Sequence, residues 1–425
     1  MNTLLRILKT PELRRSILFT LFCVSVFRVG AHITLPGVNT DQLDAYLQGN
    51  QFLGLLNLFS GGTLTHFSIL ALGLGPYITS SVIVQLLGMI FPSVEEMQKE
   101  EQGRQKLNRI TRYMTVPLAI FQGFSLIRLL GQASNGGLGQ AFDITGLTLV
   151  TALVSMTAGT IFLMWIGELI SERQIGNGTS MIIFAGIIAG LPAFISRTAS
   201  TYTSDNLFTV LLFAAFTIVT IATVVIVNEA QRNIPVQYAR GGSLRMGGAN
   251  VSSHLPMRVS MGGMIPIMFA LSIVVFPPLL AQLFANARTA WLRDASAWIA
   301  QVFANQTFYG IFYFLCVFCF TFFYASVIFR PEQIAENLQK QGGFIPGIRP
   351  GEQTAHYLDW VKNRILLVGA VFLSTIAILP LIVQALTGSP NLVVGGSSVI
   401  IVVSVVIDMI KQMESQLTMR QYDGV

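Results

Sequence analysis

The side chains able to do chemistry are few, and their spacing does not assemble a reaction. Cys316 and Cys319 have the Cys-x-x-Cys spacing that puts two thiols on one helical face, but both stand inside one apolar run, where thiols pack inertly. His66 lies in a Gly/Ser/Thr-rich segment with no second ligating side chain at a suitable spacing, and so reads as a solvated loop residue. His-Glu-x-x-His, Gly-x-Ser-x-Gly and Walker phosphate-loop patterns are all missing. Read this way, the chain has no catalytic residue, no metal site and no cofactor site. It is not expected to be an enzyme, and any energy for transport has to come from a partner.

The elements around these residues explain their scarcity. Of 425 residues only 11% are Asp, Glu, Lys or Arg, while 52% are hydrophobic and the mean hydropathy is +0.64. A soluble domain carries about 25% charged residues. The composition therefore predicts a polytopic membrane protein. Three cysteines exclude a disulfide scaffold.

Ten runs are long and apolar enough to cross a bilayer: 16–35, 72–91, 113–131, 147–168, 179–196, 207–228, 261–283, 307–329, 365–386 and 392–410. With the N-terminus in the cytoplasm, 21 of the 26 Lys and Arg fall on the cytoplasmic side and three (Arg197, Arg288, Arg293) on the other. The positive-inside rule then places both termini in the cytoplasm. The first run imitates a signal peptide, but Arg28 interrupts its end and nine further spans follow. Ten spans divide into residues 1–200 and 201–425, five each. Because five is odd, the two halves would be inverted repeats. The expected fold is all-α, ten transmembrane helices in two inverted five-helix halves.

The ionisable residues in the spans, Arg28, His32, Arg128, Glu168 and Asp408, all stand toward span ends, where long side chains snorkel to the interface. An ion-coupled transporter would place acidic or His relays near the midplane instead. Ile78 with Val82, Ile183 with Ile187, and Ile400 or Ile401 are apolar positions at helical spacing. On their own they read as core or lipid-facing residues. Gly73, Gly75-Pro76, Pro266 and Gly395-Gly396 mark kinks or close helix approach in the same spans.

Three segments are not plain spans. Residues 36–71 lack Lys and Arg, and the half-apolar stretch from Leu58 to Leu70 is too short to cross; it is either a re-entrant segment lining a cavity or an interfacial loop. Residues 229–260, with Arg232 and Arg240, and residues 330–364 are long cytoplasmic loops. The second holds Phe344-Ile345-Pro346-Gly347-Ile348-Arg349-Pro350-Gly351, a Pro/Gly-bounded tip suited either to docking a partner or simply to anchoring topology.

Phe59-Ser60-Gly61-Gly62, Ala71-Leu72-Gly73, Pro76-Tyr77-Ile78, Glu172 through Gly178, Ile345 through Thr354 and Gly395-Gly396-Ser397-Ser398, in this order among ten spans, resemble the SecY family of bacterial Sec translocase channel subunits over nearly the whole chain. The resemblance implies a protein-conducting channel that passes unfolded preproteins and releases hydrophobic segments sideways into lipid. It implies a re-entrant plug of Phe59, Ser60, Gly61, Gly62, Thr63, Leu64, Thr65, His66, Phe67, Ser68, Ile69 and Leu70. It also implies an apolar pore ring of Ile78, Val82, Ile183, Ile187, Met268 and Ile401, with Ile267 competing with Met268 for the inward position. Gly262 to Phe276 and Ile78 to Gln85 would line a lateral gate. Arg232, Arg240, Arg349, Pro350 and Gly351 would dock the SecA motor ATPase or the ribosome. SecE and SecG would be membrane partners, preproteins and signal peptides the cargo, and the bacterial plasma membrane the location. The competing reading, a secondary transporter with inverted repeats, predicts a polar site at the midplane.

Overall fold

The computed structural model describes residues 10–35, 57, 60–134, 146–200, 207–238, 253–285, 287, 289–387 and 393–423. Phe59 and Arg240, named above, lie outside them. The helices are α1 (Pro11–Ala31), α2 (Gly75–Ile90), α3 (Pro92–Lys99), α4 (Glu101–Ser134), α5 (Leu147–Glu172), α6 (Gly178–Ser200) and α7 (Leu207–Glu229), followed by strands β1 (Gln231–Tyr238) and β2 (Ser253–Arg258). Then come α8 (Ile265–Phe284), α9 (Ala290–Ala304), α10 (Gln306–Ile328), α11 (Pro331–Lys340), β3 (Gly343–Phe344), α12 (Glu352–Thr387) and α13 (Val393–Asp423). The predicted spans coincide with α1, α2, α4 to α8, α10, α12 and α13. Five described stretches, Glu101–Gly131, Leu147–Glu172, Ile265–Phe284, Gln306–Lys340 and Glu352–Leu379, are long and apolar enough by themselves to cross a membrane.

Proline sets many of the helix starts. α1, α2, α3, α8 and α11 each carry Pro in the first turn, where its missing N–H costs nothing and its fixed φ is already helical. Pro92 also forces Phe91 into extended backbone (φ -109, ψ 113), so α2 stops there and the chain turns by 115° into α3. Within the spans, hydroxyls bond back to the carbonyl one turn earlier, as in Thr115 to Thr111 O (2.8 Å), Thr160 to Met156 O (3.1 Å) and Ser374 to Ala370 O (2.7 Å). A hydroxyl in an apolar layer is satisfied in this way without a partner helix.

The two halves of the chain meet where α8 packs on α2 and α4, and where α13 packs on α6. One buried apolar cluster fills that junction, drawing Phe27 from α1, Val82 from α2, Ile166 from α5, Ile183 from α6, Leu271 from α8, Val317 from α10, Leu373 from α12 and Val405 from α13. Glu168 does not snorkel alone. It pairs with Arg112 of α4 at 2.7 Å, so the two charges at this end of α5 answer each other.

The two long loops form a second small body instead of separate tails. β1 pairs antiparallel with β2, with Ile234 opposite Leu255, and the end of β1 pairs antiparallel with β3, giving the order β2-β1-β3. Ile234 and Val236 point one way from β1 and join Met257, Leu338, Ile345, Leu358 and Val361 in a separate core. Lys362, 6% exposed, is held by Asp359 at 2.6 Å, and Arg364 lies over the Trp360 ring at 4.1 Å. The membrane part is helical as expected; this sheet was not.

Candidate functional site

The six residues picked out as a ring come from four helices and both halves of the chain, and the fold brings all six into the central cluster. Ile78 and Val82 occupy one face of α2, Ile183 and Ile187 one face of α6, each pair separated by one helical turn. Met268 comes from α8 and Ile401 from α13. Exposure runs from 1% at Val82 to 9% at Ile187.

On the side of the cluster that carries the sheet, a cavity of about 260 Å³ opens between the halves. Ile78 and Met268 form its apolar floor, and Ser81, Gln85, Glu168, Asn177 and Thr179 give it polar walls. Ile267 is equally buried but does not line this cavity, so Met268 is the one that reaches the open side.

On the opposite side, residues 60–70 form a compact series of turns. Gly61 and Gly62 take φ of +71 and +79, a region open to glycine, and Phe67 is held at φ +39. Thr63 is fully buried, with its hydroxyl 2.7 Å from Leu70 O and 2.9 Å from Ser60 O, so one side chain closes the loop on itself. Ser60, Leu64, Phe67, Ser68 and Leu70 are buried too, while Gly62, Thr65 and Ile69 are partly covered and His66 is exposed. Leu35 N donates to Phe67 O and Ile69 N to Ile33 O, fastening the turns to the chain just after α1, and the His66 ring stacks on His32 with centroids 5.1 Å apart.

Three close approaches seat these turns among the helices. A Cβ on Gly186 of α6 would overlap the Gly61 backbone, one on Gly159 of α5 would overlap Ile69 O, and one on Gly30 of α1 would meet the Leu70 side chain at 2.8 Å. The segment is therefore embedded among helices. It is not an interfacial loop.

Composition did not point to a polar contact between α2 and α4. Gln122 Nε2 donates to Thr79 Oγ1 at 3.4 Å, and Gln122 and Thr79 line a narrow pocket with Ser272 of α8, Leu64 and Leu279. All three side chains are neutral, so the pattern of charges along the spans does not reveal them. The signal that could have found them is a buried amide, Gln122, in the middle of the run 113–131.

Of the predicted docking residues, Arg232 is exposed on β1, and Arg349 and Pro350 are exposed on the turn after β3, between Gly347 (φ +84) and Gly351 (φ +99). The turn is internally braced by Ile348 N to Ile345 O and by the Thr354 hydroxyl on Arg349 O at 2.9 Å. Among the described residues no acidic group forms a salt bridge with Arg349. The cysteines Cys23, Cys316 and Cys319 are free thiols, and no group of three metal-ligating side chains occurs among the described residues.

The family profile described as SecY matches residues 68–410. The chain belongs to the SecY family. A protein translocase subunit SecY of Streptomyces galbus is 42% identical over 437 residues, covering 99% of this chain and 98% of the relative. Among solved structures, the SecY protein described as having a plug domain that stabilises the closed state of its channel aligns over 93% of this chain and 91% of its own, at TM-score 0.61 and 16% identity. Sec61 in the canine ribosome-channel complex aligns over the same shares at TM-score 0.59 and 16% identity. A multi-pass membrane protein with the channel fold of the SecY family accounts for the helices and their order.

Proposed function

We propose that this SecY-family chain is the protein-conducting channel of a bacterial translocase, passing unfolded preproteins through a neck between its two halves. The observation that carries this reading is the buried set Ile78, Val82, Ile183, Ile187, Met268 and Ile401, with a cavity on one side and the folded turns 60–70 on the other. An apolar constriction excludes water and ions without discriminating among side chains, which suits a cargo of arbitrary sequence. A transporter's polar substrate site would need the reverse. The turns 60–70 act as the plug. The contact of α8 with α2 and α4, with Thr79, Gln122 and Ser272 at its seam, acts as the lateral gate through which hydrophobic segments reach lipid.

In this reading the halves 1–200 and 201–425 are the inverted repeats, and both termini and the sheet face the cytoplasm of a bacterial plasma membrane, as the basic residues favour. Arg232, Arg240, Arg349, Pro350 and Gly351 dock a SecA-type motor or the ribosome. SecE- and SecG-type subunits cover lipid-facing surface. The test is reconstitution with a motor ATPase and a preprotein carrying a stalled fold. Cysteines placed at 183 and 401 should crosslink to the arrested chain, and their failure to do so while transport proceeds would refute the neck.

A further inference from the structure

We propose that helix α9 lies in the membrane surface on the plug side, with Trp291 and Trp298 seated at the lipid headgroup boundary, and so ties the far end of the gate helix α8 to lipid. Six crossings separate the plug from α9, which puts both on the same side of the bilayer. Its depth is fixed by a corner one residue long. Asn305 ends α9, its N–H donating to Val302 O, and begins α10, its Oδ1 accepting from Thr307 N at 3.0 Å and Phe308 N at 3.4 Å. α9 therefore leaves at the level of the first turn of a membrane span.

At 100° per residue the helix divides into three sectors. Ser296, buried at 5%, and the partly buried Leu292, Ile299 and Phe303 face the protein, and Phe303 packs edge-on against Phe308 (5.6 Å) and Phe312 (5.5 Å) of α10. Arg293, Asp294 and Gln301 form the polar sector, all exposed. Trp291 and Trp298, seven residues apart, share the third sector and are 70% and 65% exposed. The apolar arc is thus about twice as wide as the protein contact uses. A water-facing helix would gain nothing from two indoles there, whereas indole is the side chain that favours the headgroup boundary. The surface is continuous with Ile311 and Leu315 of α10, exposed at 58% and 51% on a membrane-spanning helix, so lipid already reaches its edge.

The placement of α9 rests on α8 and α10 spanning the membrane, and the tether rests in addition on the reading of α8 as the gate helix, so the quenching arm tests the first alone and the release arm the second. The test uses the purified translocase in vesicles, with Trp165 and Trp360 changed to Phe and either Trp291 or Trp298 retained. Vesicles carry phospholipid brominated near the headgroup end of the acyl chain or, separately, near its terminus. Each retained Trp should lose most of its emission to the headgroup-proximal bromines and less to the terminal ones, and should resist aqueous iodide. Full quenching by iodide with none by either bromolipid would overturn the proposal, and so would photocrosslinking from position 298 to a protein subunit. In a second arm, the Trp291→Ser, Trp298→Ser double variant should show a several-fold increase in sideways release of weakly hydrophobic segments. The corresponding Phe variant should behave as the parent, and equal release by all three would overturn the tether.

Discussion

Gly186 of α6 lies against Gly61 of the plug so closely that neither backbone leaves room for a side chain on Gly186, and the next residue of α6 is Ile187 of the neck. The turns 60–70 and the proposed constriction thus share one contact point. Any displacement of α6 that widens the neck at Ile187 also withdraws the surface on which the plug rests.

Gly186→Ala is expected to lift the plug without unfolding the helix, because Ala is the better helix former by about 1 kcal/mol while its Cβ has no space against Gly61. Planar-bilayer recordings should show raised resting conductance in a protein that still purifies as a folded channel. Wild-type conductance would mean that the plug is not seated there.

Thr63→Val removes the hydroxyl that braces the plug turns and takes this donor from the Ser60 carbonyl, while Leu70 O keeps its bond from Gly73 N. Loss of such a bond costs about 1–3 kcal/mol. If the bond exists only in the closed state, the closed-to-open ratio falls about 5- to 140-fold, since 1.4 kcal/mol is a factor of ten. Ion flux into proteoliposomes should rise accordingly, whereas Thr65→Val, at a partly covered position, should change it little.

Ile401→Asn and Ile187→Glu put polar groups into a set of side chains that are at most 9% exposed. Hydrating the neck favours the open state, so both variants should accept preproteins with defective signal sequences. Their measure is export of a reporter with a weakened signal, and unaltered selectivity would count against the neck. Ile188→Asn, at a 40% exposed position one residue along α6, is the control expected to leave selectivity unchanged.

Arg349→Glu should abolish motor-driven transport while leaving expression and plug closure normal, because the side chain is exposed on a braced turn and forms no salt bridge among the described residues. Arg349→Lys should retain only part of the activity, since an ammonium cannot reproduce the planar fork of a guanidinium. The assay is translocation by purified channel with motor and ATP, and full activity of the Glu variant would return this turn to a topological role.

The spans were legible because a run of about twenty apolar residues admits few structures in lipid; helical spacing put Ile78 and Val82 on one face of a span, but their place in a ring came only from the family resemblance. The sheet was not legible. β1 has only Ile234 and Val236 facing inward, too short an alternation to see, and its partners come from residues 253–258 and 343–344. Helix α9 was missed for the opposite reason: at fifteen residues with Arg293 and Asp294 inside, it fails any test for a crossing, and its meaning lies in which face carries Trp291 and Trp298. Neutral Gln122 and Thr79 escaped because only charges were counted as costly in the membrane.

The three-stranded sheet has a mechanical consequence. β3 fastens the Arg349 turn to β1, β1 is zipped to β2, and β2 ends at Arg258, seven residues before α8 begins at Ile265. Val259 N holds Ala230 O, and α12 presses Gly369 against Val259 O. If the Arg349 turn is the docking point proposed above, a force applied there would be carried through the paired strands to the root of α8, the helix that forms one side of the seam with α2 and α4.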